Sequence, residues 1–234
     1  YIKSVDELEC MRWSIAVAEH AMAKMRDVLS PGMTENQLWG LLNYANLANN
    51  GDWHDTRMLA SGPRSNPWFQ EASEREIQAG ELVGFDTDMI GPFGYMADVS
   101  RTYYCEPGTP TGEQRNLYQR AYEEIQYNMG ILKAGMTLKE FAEKAFKQPE
   151  GYLRYSSVSH AVGMSDEFPR VPFIDQWETK GSHCVFEPGM VMCIESYVGK
   201  KSGGEGVKLE EQVLIGEQSN ECLTSFPFED SLLG

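Results

Sequence analysis

The sequence predicts an α+β fold assembled from two copies of a helix–helix–strand unit. Three observations carry that prediction. Helical stretches open on capping signals and close on glycine or proline. Short apolar runs end on carboxylates. The order helix, Gly-Met-Thr, helix, strand, acid occurs twice, first through Gly32-Met33-Thr34 to Asp86 and then through Gly135-Met136-Thr137 to Glu195. That period is too long for a solenoid repeat. It points to pseudo-two-fold symmetry, with the acids meeting where the halves join.

The elements follow in order. Ser4-Val5-Asp6-Glu7 reads as a capping box, opening a helix from about Val5 to Leu29 with Ile15, Val17, Ala18, Ala21, Met22 and Met25 on its apolar side. Pro31-Gly32 stops it, and Thr34 caps a second helix through Leu38, Leu41, Leu42 and Ala45. Residues 49–80 are loop-rich, with a strand over Met58–Gly62. Leu82 to Asp88 and Met96 to Tyr104 read as a strand pair turning at Gly91, Pro92 and Gly94. Gly112 to Leu132 is a third long helix, and Thr137 caps a fourth reaching Phe146. A strand or turn is expected between Tyr155 and Val162, and buried strands over Gly189–Ile194 and Val207–Ile215.

Acids gather at the strand ends. Asp86 and Asp88 sit at alternate positions after Leu82-Val83-Gly84-Phe85, so they share a face if the strand continues. The return strand brings Asp98 towards them. Three convergent carboxylates repel one another unless a cation lies between. Glu195 follows Val191-Met192-Cys193-Ile194 as Asp86 follows its own apolar run. In the last strand, Val207, Leu209, Val213 and Ile215 share parity with Glu211, so Glu210 faces the opposite, cleft side. With His160 these acids form an oxygen-rich, one-nitrogen set suited to a pair of divalent ions.

Composition bounds the partners. The 234 residues carry a formal net charge of -15. That argues against nucleic acid and against anionic membranes. Five scattered cysteines without a CxxC pair read as reduced thiols of a cytoplasmic protein. No signal peptide or membrane-length apolar run is recognisable. The chain opens on Tyr1 without an initiator Met, which reads as a fragment of a longer protein.

The order and contexts of Asp86, Asp98, His160, Glu195 and Glu210 resemble the pita-bread metallohydrolases, which include methionine aminopeptidases, Xaa-Pro peptidases and creatinase. The similarity runs from Asp6 to the Phe226-Pro227 tail. It implies a pita-bread fold with a curved antiparallel sheet over residues 1–234 as one catalytic domain, the leading domain of two-domain members being absent. It also implies two metal ions on these five residues, with Asp88 as an additional ligand. Iron is the first expectation, with manganese or zinc as alternatives, since hard oxygen donors accept all three. Relatives of this family usually pair, so a homodimer is expected.

The departures from the family pattern decide the activity. Peptidases carry a second histidine in the segment opened by His160, and here Asp166 stands in its place. Another peptidase histidine normally follows the Ser61-Gly62 turn, where this sequence has Trp68 and Phe69. Added acids and aromatics suit a cationic group. The pattern Asp86-Thr87-Asp88, Asp98, His160…Asp166 resembles the dimethylsulfoniopropionate lyases of this superfamily, which cleave a small sulfonium zwitterion to dimethyl sulfide and acrylate by β-elimination. The resemblance implies Asp166 as base, with Tyr155, Trp68 and Phe69 near the substrate. Pairing with Arg170 is the competing role for Asp166, and core packing the competing role for Trp68 and Phe69. Xaa-Pro peptidase and creatinase-like C–N hydrolase activities are the alternatives, disfavoured by the two missing histidines.

Overall fold

A computed structural model describes residues 1–234. The first helix, α1 (Val5–Val28), begins on the Ser4 capping box: Ser4 Oγ accepts from the Glu7 amide, and the Ser4 amide donates to Glu7 Oε2 at 2.8 Å. Its buried residues Met11, Ile15, Ala18, Met22 and Met25 recur every three or four positions and face α2 (Glu35–Ala48) and the strands. The first-half strands are β1 (Trp53–His54), β2 (Leu59–Ser61), β3 (Leu82–Asp86), β4 (Met89–Ile90), β5 (Met96–Ala97) and β6 (Ser100–Tyr104). The second half contains α3 (Gly112–Ile131), α4 (Leu138–Lys144), β7 (Tyr152–Leu153), β8 (Ser159–Val162), β9 (Asp166–Val171), α5 (Trp177–Lys180), β10 (Val191–Lys200) and β11 (Gly206–Leu214). The chain closes through β12 (Glu221–Cys222) and α6 (Asp230–Leu233).

The duplication extends to individual hydrogen bonds. Gly32 N donates to Ile77 O and Ile77 N to Met33 O; Gly135 N donates to Phe186 O and Phe186 N to Met136 O. Gly32 and Gly135 both take positive φ, 89° and 81°, which glycine adopts without a Cβ penalty. Thr34 with Gln37 and Thr137 with Glu140 then form equivalent capping boxes. There are two apolar cores, one centred on α1 and α2 and the other on α3, α4 and the β10–β11 pair, each taking a few residues from the other half.

All strand pairings are antiparallel. One sheet runs β12-β11-β10-β8-β9 with β7 beside β10, a second runs β2-β3-β6, and a third runs β1-β4-β5. The first two meet through Thr102. Its Oγ1 accepts from Lys208 N at 3.0 Å and donates to Lys208 O at 2.9 Å, replacing a backbone ladder step between β6 and β11. Arg101 ties the same seam, donating to Glu210 O at 2.8 Å and to Glu211 Oε1 at 2.8 Å. Glu211 therefore faces away from Glu210, as the parity argument expects.

Two strand expectations change. The run from Leu82 leaves the sheet after Asp86, and Met89–Ile90 pairs instead with Trp53–His54. Asp88 has φ 36°, so its side chain is placed by a turn rather than by strand alternation. The return strand is likewise broken between Ala97 and Ser100, and Asp98 lies in the break.

Candidate metal centre

The seam between the halves places each acid. β3 delivers Asp86 directly, because Asp86 is its last residue and pairs with Ser100 on β6. Ser100 Oγ lies 2.7 Å from Asp86 Oδ1 and 2.8 Å from Glu210 Oε2. Thr56 donates its hydroxyl to Asp88 Oδ2, and Asp55 N donates to Asp88 O at 3.0 Å. In the second half Glu195 and Glu210 are directly opposed on β10 and β11. Like charges in that register are destabilising by themselves. His160, opposite Cys193, aims Nε2 at the same spot: 3.2 Å from Glu195 Oε1, 3.5 Å from Asp98 Oδ2 and 3.6 Å from Glu210 Oε1.

The six expected ligands are all buried. They fall into three overlapping groups: Asp98, His160, Cys193 and Glu210; Asp86, Glu195 and Glu210; and Asp86, Asp88 and Asp98. Within each group the candidate ligand atoms lie within 4.8 Å of one another. The oxygens Asp98 Oδ1, Glu195 Oε1 and Glu210 Oε1 have no aligned donor in the protein. Buried acceptors without donors are costly unless something else satisfies them. Five carboxylates and one imidazole, with unsatisfied oxygens pointing inward, fit divalent ions that take oxygen donors.

The electrostatics agree. Burial pushes the Asp86 carboxyl up to about 6, against the pull of the Lys208 ammonium. Burial, then neighbouring acids, push Asp88 and Asp98 well above the ordinary carboxylate range. Burial acts the same way on Glu195, but Lys208 and His160 outweigh it and hold that carboxyl below its usual value. Burial opposes charge on His160, yet the facing Glu195 carboxylate and its neighbours keep the ring well above its ordinary pKa. The cluster is a strong attractor of positive charge.

Lys208 is a central residue that sequence reasoning did not single out. It is fully buried, and its Nζ lies 2.9 Å from Glu210 Oε2, 3.0 Å from Glu195 Oε2 and 3.2 Å from Asp86 Oδ2. Lys208 shares strand parity with Glu210 on β11, a position that by itself gives no sign of burial. Cys193 was also missed; its Sγ lies 3.6 Å from Asp98 Oδ2.

Asp166 lies at the rim rather than among the ligands. Its Oδ1 is 3.2 Å from His160 Nδ1, and its Oδ2 accepts from Arg170 Nη2 at 2.7 Å. The ring's tautomer and orientation are set by the Ala161 carbonyl, which accepts from His160 Nδ1 at 3.1 Å, with the Asp166 carboxylate beside the same nitrogen. Phe69 is exposed and stacks on Tyr155 with centroids 5.4 Å apart. The Tyr155 ring in turn covers Lys208 Nζ at 4.5 Å. Trp68 is enclosed with Met58 and Tyr197, the packing role that the sequence left open. It also explains Gly84, where a Cβ would stand 3.2 Å from the Trp68 ring.

A duplicated α+β fold with a buried, oxygen-rich cradle at its seam defines a metal-site protein of the metallopeptidase type. Residues 9–217 match the model of metallopeptidase family M24, and the chain belongs to that family. The solved prolidase from Pyrococcus furiosus superposes with a TM-score of 0.83 at 26% identity, covering 96% of this chain and 65% of that one. The fold is therefore the pita-bread fold. Dimethylsulfoniopropionate lyase DddP from Roseovarius nubinhibens is 40% identical over 100% of this chain and 54% of its own length. The protein of the same description from Roseobacter denitrificans is 36% identical with the same coverage. Xaa-Pro dipeptidase from Pyrococcus furiosus is 30% identical over 95% of this chain and 63% of its own length. The chain thus spans about half the length of the two lyases it matches.

Proposed function

We propose that this chain forms the catalytic part of a metal-dependent lyase that cleaves dimethylsulfoniopropionate to dimethyl sulfide and acrylate. The observation that carries the proposal is the pairing of a full metal-ligand set with Asp166, a carboxylate, at the outer nitrogen of His160. The match to two lyases, along the whole of this chain and about half of theirs, supports it. Asp86, Asp88, Asp98, His160, Glu195 and Glu210 would hold two divalent ions, iron first among the candidates and manganese or zinc as alternatives. Bound there, the ions supply Lewis acidity that makes the proton α to the substrate carboxylate easier to remove.

The chain's own residues do the rest. Asp166 removes the α-proton. The C–H electron pair becomes the new C=C bond, the C–S bond breaks, and sulfur leaves with its electron pair as neutral dimethyl sulfide. Asp166 returns the proton to solvent, which its place at the rim allows. The exposed Phe69 face, stacked on Tyr155, offers cation–π attraction to the sulfonium. Trp68 backs that wall from within the small core beneath.

The test is headspace detection of dimethyl sulfide from metal-loaded protein given dimethylsulfoniopropionate, with an Xaa-Pro dipeptide assayed in parallel. Dimethyl sulfide release is expected. Dipeptide cleavage without it would overturn the lyase in favour of a peptidase. Asp166→Asn should abolish release while leaving metal content unchanged, and a near-wild-type rate in that variant would remove Asp166 from the role of base.

The setting is proposed as cytoplasmic, supported by five unpaired thiols; no helix is long and apolar enough to cross a membrane. A homodimer is proposed as well. Exposed Trp13 and Phe93, which line one cavity with Val17 and Pro92, offer apolar surface for it. Sedimentation of the full-length protein at high concentration tests this, and a persistent monomer would count against it.

A further inference from the structure

We propose that Cys193 is a metal ligand, and that its sulfur gives one of the two ion positions a soft donor. The inference rests on the metal-binding half of the reading above and is independent of the reaction the ions serve.

Cys193 lies on β10 two residues before Glu195, directly opposite His160 on β8 and Gln212 on β11. Residues two apart on a strand share a face, and so do residues opposed in an antiparallel pair. Cys193 therefore stands on the cradle side of the sheet with Glu195 and His160. Gln212 fixes Asp98 next to it, its Oε1 accepting from the Asp98 amide at 3.2 Å.

The donor spacings are those of a coordination sphere. Cys193 Sγ lies 3.6 Å from Asp98 Oδ2. His160 Nε2 lies 3.5 Å from the same oxygen and 3.6 Å from Glu210 Oε1. A tetrahedral ion bound to sulfur, nitrogen and oxygen holds its donors roughly 3.3–3.6 Å apart. A second observation points to a cation without reference to the thiol. Glu195 Oε1 and Glu210 Oε1 both face His160 Nε2, belong to buried residues and have no aligned donor.

The competing role for Cys193 is packing in the first core, with its thiol donating weakly to Asp98. Cys105, the other buried cysteine, shows that role alone. Its Sγ meets the Glu106 carbonyl at 3.8 Å, and it stands in none of the ligand groups.

A sulfur ligand makes the centre asymmetric. Asp98, His160, Cys193 and Glu210 offer oxygen, nitrogen and sulfur, whereas the other two groups are carboxylates only. Thiolate and imidazole favour zinc and iron, and carboxylates favour manganese and magnesium. The cysteine position therefore selects a borderline ion and the all-oxygen position a hard one. As the sulfur–metal bond forms, the thiol proton leaves to solvent.

Cobalt(II) added to the chelator-stripped protein tests this by absorption. Sulfur bound to cobalt(II) gives a near-ultraviolet charge-transfer band that oxygen and nitrogen donors do not. Wild type should show the band, and Cys193→Ser should lose it while still binding cobalt. A chain carrying Cys10→Ala, Cys105→Ala, Cys184→Ala and Cys222→Ala together should keep it. Competition between zinc and manganese gives a second readout. Cys193→Ser should lower the preference for zinc by about tenfold or more, because a direct donor counts for at least as much as a supporting partner. Cobalt that binds wild type without the band would overturn the ligand role while leaving the metal centre standing. So would a band that survives in Cys193→Ser, or one that disappears when the other four cysteines are replaced. No cobalt binding by wild type would overturn the metal reading and this inference together.

Discussion

At the scale of single residues, Lys208 organises the site's charge. Five convergent carboxylates need compensation that one imidazole cannot supply, and burial makes that need acute. Burial works against the Lys208 ammonium, but Asp86, Glu210 and Glu195 outweigh it and keep its pKa well above the ordinary lysine value. Lys208→Met removes the charge while keeping much of the stem. It should destabilise metal-free protein by on the order of 3 kcal/mol, the cost of leaving buried charges without a partner. Metal loading should shrink that deficit, since divalent ions supply what the ammonium did. Urea titration of both proteins with and without metal measures it; equal stability of the metal-free pair would show that Lys208 is not the compensating charge.

At the scale of elements, α3 carries a buried acid behind the site. Glu124 accepts from Ser196 Oγ at 2.6 Å and from Gln148 Nε2 at 2.8 Å, and burial pushes its carboxyl up to about 7. Its folded-state pKa therefore lies above the unfolded value. Between roughly pH 4.5 and 7 the folded chain binds more proton than the unfolded one, so stability falls as pH rises through that window. The loss approaches about 3 kcal/mol. Glu124→Gln should remove this slope, and pH-dependent thermal melts that keep it would locate the titration elsewhere. The elements themselves were largely legible, because capping boxes and apolar spacing are local. Thr34 and Thr137 name their helices from four residues of sequence each. Asp88 joins Asp86 and Asp98 as expected, but by a turn and not by strand alternation, and that turn depends on Thr56 and on the distant pairing of β4 with β1. That Asp86, Asp98, His160, Glu195 and Glu210 gather in one cluster was legible from their order and from the apolar runs beside the strand acids. Lys208 was hidden because a lysine in a strand ordinarily reads as solvent-facing, and only the three-dimensional seam shows three carboxylates around it. Pairing with Arg170 was the competing role for Asp166, and the β8–β9 register shift between His160 and Ala161 beside that pair was not readable.

At the scale of the whole molecule, the site is a clasp between two related halves. Asp86, Asp88 and Asp98 come from the first, and His160, Glu195 and Glu210 from the second. The halves are joined by apolar packing, with Val162, Val191 and Cys193 in the first core and Leu82 and Tyr104 in the second, and by Thr102, Arg101 and the acid cluster. An ion bound across that seam stabilises only the arrangement in which both halves are docked. Metal at a hundredfold excess over its Kd should add about 2.7 kcal/mol. For a chain of this size that corresponds to a rise in Tm of roughly 5–11 °C over chelator-stripped protein. Asp98→Ala removes a first-half oxygen from two of the three ligand groups. The variant should lose bound metal, and its Tm should no longer respond to added metal, although its stripped form can match or exceed the stripped wild type because a buried acid is gone. Elemental analysis and melting curves on the same samples check both expectations. Two metals per chain in Asp98→Ala, or an undiminished metal-dependent rise in Tm, would show that the halves are not clasped through Asp98.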